Sequence, residues 1–130
     1  MNRIGQGYDV HRIADGLPMW LCGVRIDSPS GFGAHPEGGG ASPAPCRAPL
    51  RALALGDIGH HFPDSSDEFK GIDSKILLAQ VMDLVREKGY AVGNVDATVI
   101  CERPRLRPHV DAIRARLAEL LRIDASRVSV

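Results

Sequence analysis

The stretch that decides the fold is Ser74-Lys75-Ile76-Leu77-Leu78-Ala79-Gln80-Val81-Met82-Asp83-Leu84-Val85-Arg86-Glu87-Lys88-Gly89. Leu77, Leu78, Val81, Leu84 and Val85 recur at three- and four-residue intervals, the spacing of one helix face. Ser74 stands where an N-cap belongs, and Gly89 supplies a C-terminal stop beyond Lys88. The period then changes. From Val92 to Cys101, Val95, Ala97 and Val99 alternate with Asp96, Thr98 and Ile100, which predicts a strand. A second helix follows Pro108, with Val110, Ile113, Leu117, Leu120 and Leu121 in one stripe, and Arg127 to Val130 opens another strand. This alternation predicts an α/β fold: a two-layer α/β sandwich, a small mixed sheet with helices on one side.

Working outward toward the N-terminus, Ile4, Tyr8–Val10, Met19–Cys22 and Val24–Ile26 are short apolar pieces broken by Asp15-Gly16 and Pro18. They read as two or three short strands joined by turns. Residues 28–50 differ in kind. They hold Pro29, Pro36, Pro43, Pro45 and Pro49 with Gly31, Gly33, Gly38, Gly39 and Gly40, so an irregular segment is expected and no regular element over 36–48. Leu50, Leu53, Ala54 and Leu55 then predict a short helix stopping at Gly56, and Asp57 to Asp64 reads as a polar loop. At 130 residues the chain is expected to be one domain spanning 1–130.

Lys plus Arg number 16 and Asp plus Glu 16, so the formal net charge is zero. A balanced chain carries no global field for nucleic acid or an anionic membrane, and neither is expected as a partner. No apolar run reaches the ~18 residues of a spanning helix. Cys22, Cys46 and Cys101 are odd in number and share no metal-type spacing, which predicts a reducing, cytoplasmic setting.

Three polar groups can carry chemistry. Asp9 and His11 lie two positions apart, so on a strand they face the same way and can share a cation such as zinc, which normally takes a third protein ligand; a surface Asp beside an incidental His is the alternative. His60-His61 with Asp57 and Asp64 is either a solvated loop or, through its glycine and backbone N–H groups, an anion nest. Arg103, Arg105 and Arg107 precede a helix N-terminus, as a solvated basic turn or a phosphate-attracting one.

Longer blocks connect these groups. They are Arg3-Ile4-Gly5-Gln6-Gly7-Tyr8-Asp9-Val10-His11, Gly33-Ala34-His35, Ala52-Leu53-Ala54-Leu55-Gly56-Asp57-Ile58-Gly59 and Phe62-Pro63-Asp64. Further along come Lys70-Gly71-Ile72-Asp73-Ser74, Gly93-Asn94-Val95-Asp96-Ala97-Thr98, Pro104 and Pro108-His109. Together they resemble the 2-C-methyl-D-erythritol 2,4-cyclodiphosphate synthase family of the non-mevalonate isoprenoid pathway.

The resemblance implies a homotrimer with active sites between subunits, a zinc ion, and a second divalent ion, magnesium or manganese. It implies a cytidine-diphosphate substrate, 4-diphosphocytidyl-2-C-methyl-D-erythritol 2-phosphate, cyclised with release of CMP. Asp9 and His11 resemble the first two zinc ligands, and Asp9, Val10 and His11 line the substrate with His35. Asp57, Ile58 and Gly59, with Phe62, Pro63, Asp64, Ser65 and Ser66, resemble the loop around the methylerythritol phosphate. Cys101, Glu102, Arg103, Pro104, Arg105, Leu106 and Arg107 resemble the stretch around the cytidine diphosphate, with Arg105 where lysine is more usual.

Departures fall in two places. The third zinc-ligand position holds Pro43, a family Asp is replaced by Arg47, and Pro45 and Pro49 replace leucines of a helix. The family also continues past the position of Val130 with a catalytic, phosphate-binding segment and a final strand, so its catalytic groups there have no counterpart in this sequence. Weak zinc binding and a weak or absent trimer are therefore expected. The resemblance supports the synthase role. Two alternatives stay open: a non-catalytic relative that binds a cytidine nucleotide, and a small module in which Asp9, His11 and His35 hold a structural ion.

Overall fold

The computed structural model describes residues 1–10, 12–32, 44–61 and 74–130. Four short strands come first: β1 (Ile13–Asp15), β2 (Met19–Leu21), β3 (Val24–Ile26) and β4 (Ser30–Phe32). Helices α1 (Ala44–Ala52), α2 (Ile58–His61) and α3 (Ser74–Glu87) follow, then β5 (Val95–Asp96), α4 (Val110–Leu121) and β6 (Val128–Ser129).

Pairing is both antiparallel and parallel. β1 pairs antiparallel with β4, Ile13 opposite Phe32. β2 and β3 form a tight hairpin with Met19 opposite Ile26. Its two-residue loop is Cys22-Gly23, both at positive φ (51° and 78°), the mirror-image turn that matches the twist of a hairpin. β5 and β6 pair in parallel through α4, Val95 opposite Val128, which is the crossover connection that a parallel pair requires.

One core joins the two layers. The hairpin contributes Met19, Leu21 and Ile26, and α1 contributes Cys46 and Leu50. Leu78, Val81, Met82 and Val85 of α3 meet Ile113, Leu117, Ala118 and Leu121 of α4, with Val128 of β6 beneath. α3 packs on α1 and on α4, and α4 rests on β3 and β6. Arg114 pins α4 to the last strand, donating from Nε to Val128 O at 2.7 Å and from Nη2 to Ala125 O at 2.9 Å. The expected two-layer α/β architecture is the one observed.

Several local expectations are corrected. The 28–50 segment is not irregular throughout: it contains β4 and most of α1. Pro45 sits in the first turn of α1, where a backbone N–H has no helical partner to lose. Pro49 lies inside the helix and costs about 3 kcal/mol. Burial of Cys46 and Leu50, one turn apart and 1% and 0% exposed, offsets that cost. Helix α1 accordingly runs ahead of the expected Leu50–Leu55 piece, and Leu55 N closes it on Leu50 O at 2.9 Å.

The polar loop after Asp57 begins with the single turn α2, started by His60 N donating to Asp57 O at 3.1 Å. The strand expected over 92–101 alternates half-buried and exposed residues from Val95 on, but only Val95–Asp96 pairs as a strand, with Ala97 N adding a bond to Ser129 O at 2.9 Å. Arg127 belongs to a 3-10 turn (Ala125–Arg127) that delivers the chain into β6. α3 starts at Ser74, and Gly89 at φ 79° closes it as expected.

Candidate active site

Asp9 reaches its place through the glycines before it. Gly5 and Gly7 lie so close to α1 that a Cβ on Gly5 would strike Ala48 O, and one on Gly7 would strike Ala44 O. Odd-numbered residues of this extended segment therefore face the helix, and Ile4, Tyr8 and Val10 face outward. Asp9 continues the inward face and meets Arg47 of α1. Arg47 Nη1 donates to Tyr8 O at 2.8 Å and to Asp9 Oδ1 at 3.4 Å. The Asp9 side chain is 11% exposed and that of Arg47 26%.

Asp57 lies on the other side of the same guanidinium, with Oδ1 4.0 Å from Arg47 Nε. Arg47 thus stands between two carboxylates. Ile58 and Gly59 follow on α2, half-buried and exposed respectively. His61 Nε2 lies 2.5 Å from Leu55 O, a contact that occupies this nitrogen. His60 meets His61 edge-on, with ring centroids 5.4 Å apart.

The stretch from Cys101 to Arg107 forms a bend leading into a 3-10 turn (Arg107–His109) and then α4. Cys101 Sγ donates to Arg103 O at 2.6 Å, Glu102, Arg103, Arg105 and Arg107 are exposed, and Pro104 and Leu106 are partly covered. No side chain caps the start of α4 at His109; the chain enters it from the 3-10 turn, with Val110 N donating to Arg107 O and His109 N to Leu106 O, and Arg105 and Arg107 lie on this approach. Their positive charge beside a helix N-terminus favours phosphate.

Of the expected site residues, the structure brings Asp9 and Asp57 together through Arg47 and presents 101–107 as a separate basic bend. His11, His35, Pro43, Phe62, Pro63, Asp64, Ser65 and Ser66 lie outside the described residues. Arg47 was absent from the expected site. Its signal was the reversal from Asp to Arg beside the metal-ligand position.

Whether the described donors suit zinc is decided by Asp9. Its Oδ1 is engaged by a guanidinium that already neutralises it, and among the described residues no three His, Cys, Asp or Glu side chains converge on a common point. Of the implied ligands only Asp9 lies among the described residues, and the guanidinium on its Oδ1 does not fit a cation bound at that oxygen.

The fold and its solved relatives define the class. A structure of 2C-methyl-D-erythritol-2,4-cyclodiphosphate synthase bound to CDP superposes with TM-score 0.85 at 39% identity, covering 98% of this chain and 85% of that one. The synthase of the same name from Porphyromonas gingivalis strain W83 is 48% identical over 128 residues, 98% of this chain and 79% of that protein. The one from Azotobacter vinelandii is 51% identical over 128 residues, 98% of this chain and 82% of that protein. Residues 2–130 match the profile of the YgbB family. The chain belongs to that family, the cyclodiphosphate synthases of isoprenoid biosynthesis, which are lyase-type enzymes.

Proposed function

We propose that this chain, a single domain over 1–130, takes 4-diphosphocytidyl-2-C-methyl-D-erythritol 2-phosphate as its substrate. An oxygen of the 2-phosphate attacks the β-phosphorus. The bond from that phosphorus to the oxygen bridging toward the α-phosphate breaks, giving 2-C-methyl-D-erythritol 2,4-cyclodiphosphate and CMP. Both partners belong to one molecule, so the protein's task is positioning and charge neutralisation, and no protein nucleophile is needed.

The observation that carries this reading is the family match over residues 2–130, with likeness to a CDP-bound synthase in support. On this reading Cys101 to Arg107 surround the cytidine diphosphate, and Arg103, Arg105 and Arg107 meet its phosphates in charge-assisted hydrogen bonds. Asp57, Ile58 and Gly59, continued by Phe62 to Ser66, hold the methylerythritol phosphate, and His35 contacts the substrate. The resemblance implies zinc at Asp9 and His11 and a second magnesium or manganese ion; at Asp9 the pairing with Arg47 works against the first.

The proposal includes a homotrimer acting in the cytoplasm. Ile4, Tyr8 and Val10 form an outward apolar edge on the N-terminal segment, which supports self-association. Among the described residues no helix is long and apolar enough to cross a membrane.

A second reading, binding of a cytidine nucleotide without turnover, is favoured by the Arg47–Asp9 pair. Incubation with the cytidine-diphosphate substrate and magnesium separates them. CMP released in proportion to protein, above a metal-only blank, bears out the synthase reading. Intact CDP binding with no CMP release selects the second.

A further inference from the structure

The environment of Arg47 is unlike that of a surface ion pair. Cys46 and Leu50 anchor α1 in the core on either side of it, 1% and 0% exposed. The close approach of Gly7 to Ala44 holds the N-terminal segment against α1, and Asp9 and Arg47 meet across that contact. Nη1 is also held by Tyr8 O at 2.8 Å, which aims the guanidinium at the carboxylate. Nε is buried without a hydrogen-bond partner, and Asp57 Oδ1 lies 4.0 Å from it.

A cation between Asp9 and Asp57 offsets one of their two negative charges, and here that cation is part of the chain. A guanidinium does not give up its proton in any ordinary pH range, so this charge is permanent. A divalent ion binding Asp9 meets a carboxylate already neutralised and a fixed positive charge beside it. Like charges held this close in a partly desolvated site repel strongly.

We infer that Arg47 is the built-in cation of this site: its guanidinium takes the Asp9 carboxylate and bridges toward Asp57, and a divalent ion binds there only by displacing it. The inference rests on reading Asp9 as a metal-site carboxylate. It makes Arg47 a determinant of metal affinity, acting through Asp9.

The test is zinc affinity, read by competition with a chelating dye, for the unmodified chain and for Arg47→Gln, Arg47→Lys and Arg47→Gln with Asp9→Asn. The expected result is a gain of about tenfold or more for Arg47→Gln, since one fixed charge has been removed from the ion's first neighbours. Arg47→Lys keeps the charge and stays close to the unmodified chain, and adding Asp9→Asn abolishes the gain. Arg47→Gln binding zinc no more tightly than the unmodified chain overturns the inference.

If circular dichroism shows Arg47→Gln unfolded, the unmodified chain and Asp9→Asn decide. Equal zinc affinity of the two upholds Arg47 as the cation that holds Asp9, and weaker zinc binding by Asp9→Asn shows that Asp9 ligates beside Arg47 and overturns it. CDP titrated into the same samples keeps the substrate reading separate. A zinc gain without CDP binding upholds the role of Arg47 and counts against the nucleotide; CDP binding without a zinc gain does the reverse.

Discussion

Arg47 and Asp9 are 38 positions apart in sequence, and their side chains meet with Nη1 3.4 Å from Oδ1. The pair is partly buried, so removing the carboxylate's charge leaves the guanidinium facing Tyr8 O and the more distant Asp57. Asp9→Asn is expected to lower unfolding stability by about 1–3 kcal/mol, the range for losing a charged hydrogen-bond partner in a partly covered site. Urea denaturation measures it. An effect below about 0.5 kcal/mol, as for exposed pairs, contradicts the structural placement.

Gly5 and Gly7 allow the N-terminal segment to lie on the α1 backbone. Their Cβ-free surfaces have no flexible side chain opposite that can yield; the obstacles are Ala48 O and Ala44 O. Gly7→Ala is expected to cost about 1–3 kcal/mol by forcing the backbones apart. It should also separate Asp9 from Arg47, so that a subsequent Asp9→Asn change costs much less than in the unmodified chain. A double-mutant cycle checks this, and additivity of the two changes counts against it.

Burial pushes the Cys22 thiol up to about 11. For Cys46, burial is again the main cause and carries the thiol to about 12, with Cys22 adding to the rise and Arg47 opposing it. Both lie above the ordinary 9.0, so the unfolded chain releases these protons first as pH rises. Their contribution to stability is complete below about pH 9 and is lost as pH climbs through 11 and then 12. Cys22→Ala with Cys46→Ala should flatten the alkaline loss of stability. Alkylation near pH 8 should modify Cys22 about 100-fold more slowly than a thiol of ordinary acidity. Mass-resolved labelling that finds Cys22 or Cys46 modified as fast as a model thiol refutes this.

Much of the fold was legible because its helices and turns follow local rules. The stripes at 77–85 and 110–121 are those that meet in the core, and Gly89 ends α3 as its position predicts. α1 was not legible. Pro45 and Pro49 weigh against a helix locally, and only the tertiary burial of Cys46 and Leu50 outweighs them. β5 was overextended for the converse reason: alternation reports which residues face inward, and pairing depends on the partner strand. In the site, Asp9 and Asp57 were recognised from blocks of sequence, but their joint partner Arg47 arises from a contact across 38 positions that no local pattern contains.

Ile4 and Val10 are 95% and 73% exposed on the outward face of the N-terminal segment, with Tyr8 between them. If this edge joins copies of the chain, a charge placed on it separates them. Light scattering over a range of micromolar concentrations should give a weak assembly, approaching a trimer mass only at the upper end for the unmodified chain, and a lower mass throughout for Val10→Asp. A monomer in both cases removes the proposed assembly.

Nucleotide binding at the basic bend is tested by calorimetric titration of CDP into the full chain, beside Arg105→Ala with Arg107→Ala and Arg12→Ala as a control. Saturable binding is expected, weakening about tenfold or more when the two bend arginines are lost, the size of charge-assisted phosphate contacts, and unchanged in the control. No CDP binding by the folded, unmodified chain, or equal binding by all three, would contradict nucleotide binding at this bend.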